Sequence, residues 1–465
     1  MQIGRKDIYW NYAATFLRIA AAAILLPFIL RMMPSEMVGI WTVFITITAF
    51  AGLLDFGFNP SFSRNVTYIF SGVRTLKVTG FDYVPKESQS IDYGLLKGLI
   101  EAMRWFYLRM AIALLLLLTT LGTYYIYNLL QKYNGNHREV YLAWILLCLI
   151  NTYSLFTLYY DSLLQGKGLV KISKQIIIIG QTVYLTIAAF LILFGYGLVA
   201  IVTAQASSVI IVRWLSHNSF FTRELKQELK NVNPHPVKEI LKAIYPNALK
   251  IGLTTLGGFA VQRSAIIIGS LYLPLQEIGS YGITMQLIAV ITGLAGIYTA
   301  TFQPKIAQLR IEKKNEAIKV LYLRGQLVQL LTYFIGGITL LIIGKWTLNL
   351  IGSQTQLMPT SLLFAAIIIS FLENNHSIAG GILLSNNEVP FFKASLIAGA
   401  VTIILLIGMF QFANMNLWPL ILAPGIAHLY NNWKWPTEVY LQLGISKKDF
   451  MKTILNLTKL NTNGK

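Results

Sequence analysis

The chain has 465 residues, of which 55% are hydrophobic and only 12% are charged. A water-soluble protein usually carries about 25% charged residues, so this composition excludes a soluble globular protein of this size. The 38 Lys and Arg residues outnumber the 19 Asp and Glu residues, which gives a formal net charge of +19. Because the basic residues crowd the gaps between alternate apolar segments, they indicate membrane topology rather than nucleic-acid binding.

Apolar segments follow one another along the whole chain, and most have the length of a helix that crosses the hydrocarbon layer, roughly 20 residues. The predicted spans are residues 8–30, 39–62, 102–130, 140–163, 175–195, 197–212, 245–272, 279–303, 325–344, 358–384, 394–412 and 415–433. The pattern predicts an all-α integral membrane protein with about twelve transmembrane helices.

The basic residues are concentrated in loops that the predicted topology places on one side of the membrane. Residues 63–101 and 213–244 are the longest of these loops. Since basic loops stay on the cytoplasmic side, both termini are predicted to be cytoplasmic. Within the second loop, Phe220 to Leu229 has the pattern of a short amphipathic helix, which Pro234 and Pro236 would end. Membrane lipids are expected partners of these loops, since anionic lipid head groups attract their basic residues.

An internal repeat divides the chain into two halves. Met33-Pro34 leads to Gly39-Ile40-Trp41, and Leu273-Pro274 leads to Gly279-Ser280-Tyr281 in the corresponding loop of the second half. Each half holds an even number of spans, so the two copies have the same orientation, as in many transporters. The predicted organisation is a six-helix lobe at 1–217, a basic cytoplasmic connector at 218–244, and a six-helix lobe with a short cytoplasmic tail at 245–465.

Sequence motifs for catalysis, metal binding and nucleotide binding are missing. The chain has no phosphate-binding glycine loop, no zinc-type His pair and no nucleophile elbow. The sequence therefore predicts a protein that is not an enzyme and that needs no metal or cofactor. A membrane glycosyltransferase or polymerase stays open as an alternative, although the predicted outer loops are short for a sugar-transfer site.

Basic residues inside the predicted spans are candidates for function, because charge in hydrocarbon is costly. Arg18 and Arg263 lie deepest, roughly 15 Å from the ends of their spans. Lys250 and Arg109 are shallower, and their side chains could equally extend to the inner surface. Arg and Lys bind phosphates well, so an excess of buried positive charge indicates an anionic substrate.

Acidic residues inside the spans are fewer. Asp55 lies in the second span. Glu373 lies near the middle of the tenth, followed by Asn374, Asn375 and His376. A carboxyl group at this depth could bind and release a coupling ion together with His376. A structural hydrogen-bond cluster beside a broken helix explains the same four residues equally well.

Three short motifs lie in and around the second span: Gly39-Ile40-Trp41, Leu53-Leu54-Asp55-Phe56-Gly57-Phe58 and Ser63-Arg64-Asn65. This pattern resembles the bacterial polysaccharide flippases of the multidrug/oligosaccharidyl-lipid/polysaccharide (MOP) exporter superfamily. It marks Gly39, Gly57 and Arg64 as motif positions. The second half departs from the motif, since Ala295-Gly296-Ile297 stands where the Asp would recur.

The resemblance implies two pseudo-symmetric lobes around a central cationic cavity, with Arg18, Arg263, Lys250, Arg109 and Asp55 binding the diphosphate and sugars. The implied substrate is an undecaprenyl-diphosphate-linked oligosaccharide of O-antigen, capsule or exopolysaccharide. It would be flipped across a bacterial inner membrane by alternating access, without a cofactor but with coupling to a proton or sodium gradient as one energy source. The polysaccharide polymerase and chain-length machinery are implied partners. A drug or cation antiporter of the same superfamily is the main alternative, and a lipid II flippase is a close relative.

Overall fold

The computed structural model describes residues 10, 17, 24–76, 90–311, 313–385, 390–413, 415–446 and 449. All regular secondary structure in these residues is helical. The chain forms two compact units, Met1–Leu256 and Gly257–Lys465. Nine helices of the described residues are long and apolar enough to cross a membrane. The prediction of an all-α, multi-pass membrane protein is therefore confirmed.

The described part of the first unit is helical. Its helices are α1 (Ser35–Leu53), α2 (Phe58–Phe70), α3 (Tyr93–Leu117), α4 (Thr123–Leu130), α5 (His137–Phe156), α6 (Tyr159–Gly166), α7 (Val170–Leu193), α8 (Gly197–Phe220) and α9 (Arg223–Lys230). A π-helical turn, Leu118–Gly122, joins α3 to α4, so one continuous helix runs across the membrane there. The predicted amphipathic helix of the basic loop is confirmed as α9, which buries Leu225.

The next helix, α10 (Val237–Tyr272), begins in the first unit and ends in the second. The remaining helices belong to the second unit: α11 (Leu275–Ile311), α12 (Asn315–Leu350), α13 (Thr360–Leu384), α14 (Phe392–Phe412), α15 (Trp418–Ala427) and α16 (Leu429–Leu443). Helices α11 and α12 are 37 and 36 residues long. At 1.5 Å per residue they reach about 55 Å, so they continue well beyond a hydrocarbon layer of about 30 Å.

Three predicted spans are broken by turns rather than continuous. The second span is interrupted between α1 and α2, where Phe56 and Gly57 have φ of +46° and +71°. The fourth is interrupted between α5 and α6, and the twelfth is divided at His428, between α15 and α16. Hydropathy averaged over a whole span does not show these breaks, because each span stays apolar on average despite a few polar residues.

The predicted basic loops also begin earlier in the sequence than the observed ones. Helix α2 continues to Phe70 and α8 continues to Phe220, so Arg64 and Arg213 belong to helices. The charge of Arg213 predicts a loop position, although the residue is only 7% exposed. A buried charge needs a partner, and that partner is part of the polar cluster described below.

The repeated Pro segments occupy equivalent positions in the two units. Pro34 directly precedes α1 and Pro274 directly precedes α11. Gly39 and Gly279 consequently fall at the same position of the two helices, and both are buried. The aromatic residues that follow, Trp41 and Tyr281, are 7% and 3% exposed. The repeat therefore marks the start of equivalent helices whose first turns pack against their own unit.

Candidate functional site

A cavity of about 410 Å³ lies within the second unit, among helices α10, α11, α13 and α15. Its polar lining residues are Gln262, Arg263, Tyr281, Thr292, Ser370, Glu373, Asn374 and Ser377. The rest of the wall is apolar and includes Val261, Ile266, Met285, Leu420 and Pro424. An apolar pocket with a few convergent polar groups is the usual form of a small-molecule site.

Arg263 supplies the positive charge of this cavity. It lies nine residues before the end of α10 at Tyr272, or roughly 14 Å along the helix. Tyr281, which is 3% exposed, lies within electrostatic range of both Arg263 and Glu373. The structure therefore brings together Arg263 and Glu373, two residues that the sequence marked separately because of their depth.

A residue at the break between two helices lies next to Glu373. Its Oε1 lies 3.2 Å from Nδ1 of His428, whose side chain is 11% exposed. His428 stands between α15 and α16 and donates its backbone N–H to the carbonyl of Pro424. The ring of His376 packs edge-on against that of His428, with 4.8 Å between the centroids. The acid–imidazole pair thus joins the cavity wall to the helix break.

The four polar residues of α13, Glu373 to His376, have different surroundings. Asn375 accepts a hydrogen bond from Gln326 of α12, and His376 Nδ1 lies 2.6 Å from Oδ1 of Asn432 of α16. These two residues connect neighbouring helices. Glu373 and Asn374 line the cavity, where Nδ2 of Asn374 is buried without a hydrogen-bond partner. Asn375 and His376 therefore contact neighbouring helices, and Glu373 and Asn374 face the cavity.

A second polar cluster lies in the first unit around Tyr107 of α3. The Tyr107 hydroxyl donates to Asp55 Oδ1 at 2.5 Å, and the same carboxylate accepts the Asn59 backbone N–H at 2.9 Å. Asp55 therefore closes the first turn of α2, directly after the left-handed residues Phe56 and Gly57. Nearby, Arg213 Nη1 lies 2.8 Å from Asp161 Oδ1. The Asp-x-Gly segment thus builds a helix break and its cap.

Among the residues that the structure describes, Arg109, Asp55 and Arg64 do not line the cavity of the second unit. Arg18 lies outside the described residues, and so does the side chain of Lys250, whose backbone belongs to α10. Arg109 is exposed on α3 and stacks on Trp105, with 3.6 Å from its Cζ to the ring centroid. Arg64 is exposed on α2.

Two residues that sequence reasoning missed take part in these clusters. His428 was overlooked because it lies in an apolar segment that reads as one continuous span. The neighbouring Pro424 could have indicated the break. The sequence predicts that Arg213 lies in a loop. In the structure, the helix that begins at Gly197 continues through Arg213. Among the described residues, no three His, Cys, Asp or Glu side chains converge as a metal site.

Solved structures with a similar helix arrangement include MATE transporters and a lipid II flippase. An inward-facing multidrug resistance MATE family transporter of the MOP superfamily gives a TM-score of 0.64 at 12% identity, over 92% of this chain and 94% of its own. The lipid II flippase MurJ in an inward closed conformation gives 0.61 at 15% identity, over 97% and 90%. A MATE structure in the bent conformation gives 0.54 at 13% identity, over 94% of both chains.

The chain has the fold of the MOP superfamily. The resemblance seen in the sequence is thereby confirmed at the level of the fold, over nearly the whole length of the chain. A comparison with protein-family models finds no match, and neither does a comparison with curated protein sequences.

Proposed function

We propose that the protein is a flippase that moves an undecaprenyl-diphosphate-linked oligosaccharide from the cytoplasmic to the outer leaflet of a bacterial inner membrane by alternating access. The observation that carries the proposal is a guanidinium, Arg263, in a cavity at membrane depth within a MOP-type fold. A guanidinium away from the lipid head groups is costly unless it pairs with an anion, and a diphosphate supplies one.

The size and lining of the cavity support an oligosaccharide head group. About 410 Å³ lies within the usual range of ligand pockets, roughly 300–1,000 Å³, and suits a phosphate and a sugar ring but not a long lipid tail. The side chains of Gln262, Asn374 and Ser377 can hydrogen-bond sugar hydroxyls. The lipid II flippase among the structural neighbours shows that this fold also handles a lipid-linked substrate.

Replacement of Arg263 tests the proposal in a strain whose surface polysaccharide depends on this protein. We expect Arg263→Ala to abolish surface polysaccharide while the protein stays in the membrane at its normal level, and Arg263→Lys to retain part of it. Arg138→Ala is the matched control, because Arg138 is an exposed arginine in the first turn of α5. Normal polysaccharide in the Arg263→Ala strain would contradict the proposal.

A drug or cation antiporter of the same superfamily is the second candidate, and Glu373 is the observation that favours it. A carboxylate in the cavity, paired with His428, could alternate between a proton and an organic cation. Export of organic cations that is lost in Glu373→Gln but retained in Arg263→Ala would favour the antiporter. In the flippase, Glu373 and His376 would instead serve ion coupling, so Glu373→Gln would slow transport without removing substrate binding.

Two further activities are distinguished by separate assays. A lipid II flippase would restore growth in a strain depleted of its own lipid II flippase. A glycosyltransferase or polymerase would, once purified, extend a lipid-linked donor into a longer glycan. The flippase proposal predicts a negative result in both assays, and it keeps the polysaccharide polymerase and chain-length proteins as separate partners.

A further inference from the structure

One face of α3 is exposed, opposite the buried side that carries Leu96, Leu99 and Leu114. From Arg104 onwards a continuous exposed stripe follows the helix. Its large apolar members are Trp105 (43%), Leu108 (47%), Ile112 (50%), Leu116 (60%) and Leu121 (68%). An exposed face of this composition in a membrane protein faces lipid.

Exposed aromatic residues mark both ends of this lipid-facing stripe. Trp105 stands at one end, and Tyr124 and Tyr127 stand at the other, 67% and 54% exposed. The separation of 19 to 22 residues corresponds to roughly 28–33 Å along a helix, close to the hydrocarbon thickness of about 30 Å. Trp and Tyr are enriched at the membrane–water boundaries. Trp105 therefore lies at the level of the lipid head groups.

Two arginines flank Trp105 at this level. Arg109 lies one turn deeper, and its side chain turns back towards the head groups, with Cζ 3.6 Å from the Trp105 ring centroid and Nη1 3.4 Å from the Trp105 carbonyl oxygen. Arg104 is also exposed, and its Nε donates to the Tyr159 hydroxyl at 3.2 Å. A guanidinium stacked on a ring keeps its N–H edge available for a bidentate acceptor.

The charge of this surface is positive. Glu101, one turn before Arg104, offsets part of the Arg104 charge. Arg109 forms no ion pair with a carboxylate in the part of the chain that the structure describes. Two guanidiniums at head-group depth, with an indole between them and an apolar stripe below, match the head group and acyl chain of one anionic lipid.

We propose that Arg104, Trp105 and Arg109 form a binding site on the outer face of α3 for an anionic phospholipid such as phosphatidylglycerol. The lipid phosphate accepts hydrogen bonds from the two guanidiniums, and an acyl chain lies along Leu108, Ile112 and Leu116. This site belongs to the first unit and is separate from the cavity proposed for substrate, so it does not depend on the proposed function.

The test titrates the purified full-length protein in detergent with phosphatidylglycerol or phosphatidylcholine and counts bound lipids by native mass spectrometry. We expect wild type to bind phosphatidylglycerol more tightly than phosphatidylcholine. Each Arg→Gln change should weaken phosphatidylglycerol binding about fivefold and the double variant more than tenfold, as expected for loss of one or two basic groups at an anionic surface. Arg138→Gln is the matched control and should bind as wild type does.

Three results would overturn the proposal: equal affinity of wild type for the two lipids, wild-type phosphatidylglycerol binding by the double variant, or displacement of the lipid by millimolar inorganic phosphate. Thermal unfolding in lipid-free detergent checks that the variants are folded. If the double variant unfolds, Arg109→Lys takes its place, because it keeps the charge but lacks the planar group that stacks on Trp105. It should bind phosphatidylglycerol with intermediate affinity. Wild-type affinity of this variant would contradict the stacked-guanidinium geometry.

Discussion

At the level of single residues, the ion pairs in the described part of the chain differ mainly in the exposed fraction of their side chains. Arg213 and Asp161 form a pair in which the arginine side chain is only 8% exposed and the aspartate 31%. Lys434 and Glu438 form a pair of similar length, 3.0 Å, with 40% and 33% exposure. Loss of the acid in the first pair leaves a buried guanidinium without a counter-ion, whereas in the second pair water replaces it.

We therefore predict that Asp161→Asn lowers the free energy of unfolding by about 2 kcal/mol. This is less than the roughly 3–5 kcal/mol typical of a fully buried pair, because Asp161 is partly exposed. Glu438→Gln, the matched control, should cost less than about 1 kcal/mol. Thermal unfolding of the purified variants in detergent measures both, and equal effects would contradict the buried-pair interpretation.

The contacts of Asp449, which follows α16 in the sequence, predict that the stability of the protein depends on pH. The Ser446 backbone N–H, the Lys319 ammonium at 2.9 Å and the Ser446 hydroxyl lower the pKa of Asp449 to about 2. A lowered pKa means that the folded state favours the carboxylate. The stabilisation is therefore complete above the ordinary value of about 3.9 and is lost as the pH falls towards 2.

The measurement compares the unfolding temperatures of wild type and Asp449→Asn in detergent. The difference between the two proteins should be constant from pH 7 to about pH 5 and should shrink progressively as the pH falls towards 2. A difference that stays the same over the whole range would show that Asp449 is not ionised against these partners.

At the residue scale, depth within an apolar segment is visible in a single chain and marks Arg263 and Glu373 as candidates, and both line the cavity. It did not identify His428 as the partner of Glu373. The two are 55 positions apart, and their contact depends on the break between α15 and α16. Proximity across helices depends on packing, which hydropathy does not record.

At the level of helices and loops, glycines decide how closely the segment 231–236 can approach the start of α3. Lys97 donates to the Val232 carbonyl at 2.8 Å, and the His235 backbone N–H donates to the Gly94 carbonyl at 3.2 Å. A Cβ on Gly98 would lie 2.6 Å from the His235 carbonyl oxygen. The segment 231–236, which the sequence predicts to be part of a basic connector, therefore packs against α3 at Gly94 and Gly98.

We predict that Gly98→Ala detaches the segment 231–236, because the methyl group meets backbone atoms that cannot rotate away. The free energy of unfolding should fall by about 1–3 kcal/mol, the usual cost of an overpacked contact. Hydrogen–deuterium exchange should rise at the four amides that this segment has, those of Asn231, Val232, Asn233 and His235. Gly52→Ala is the matched control, since its Cβ would meet nothing within 4 Å. Unchanged exchange in Gly98→Ala would contradict this account of the docking.

The helices themselves were largely predictable, while their breaks were not. Nearly every apolar segment among the described residues corresponds to an observed helix, because a backbone in hydrocarbon must satisfy its own hydrogen bonds. The break after α1 depends on positive φ at Phe56 and Gly57 and on the Asp55 cap. Asp-Phe-Gly suggested a motif in the sequence, and the structure explains it as a turn.

At the scale of the whole molecule, the distribution of Lys and Arg predicts which loops face the cytoplasm. The topology predicts that α9 lies on the cytoplasmic side and that the turn between α4 and α5 lies outside. Cys148 is the only cysteine in the chain and is buried, so a single engineered cysteine can be labelled against a low background.

We predict opposite accessibility for two exposed positions, Gln131 at the end of α4 and Glu228 in α9. In Cys148→Ala cells, a membrane-impermeant maleimide should label Gln131→Cys in intact cells and should label Glu228→Cys only after permeabilisation. Both cysteines should react equally in detergent, which controls for local accessibility. The reverse labelling pattern would show that the protein has the opposite orientation in the membrane. The proposed direction of flipping, from the cytoplasmic to the outer leaflet, would then be wrong as well.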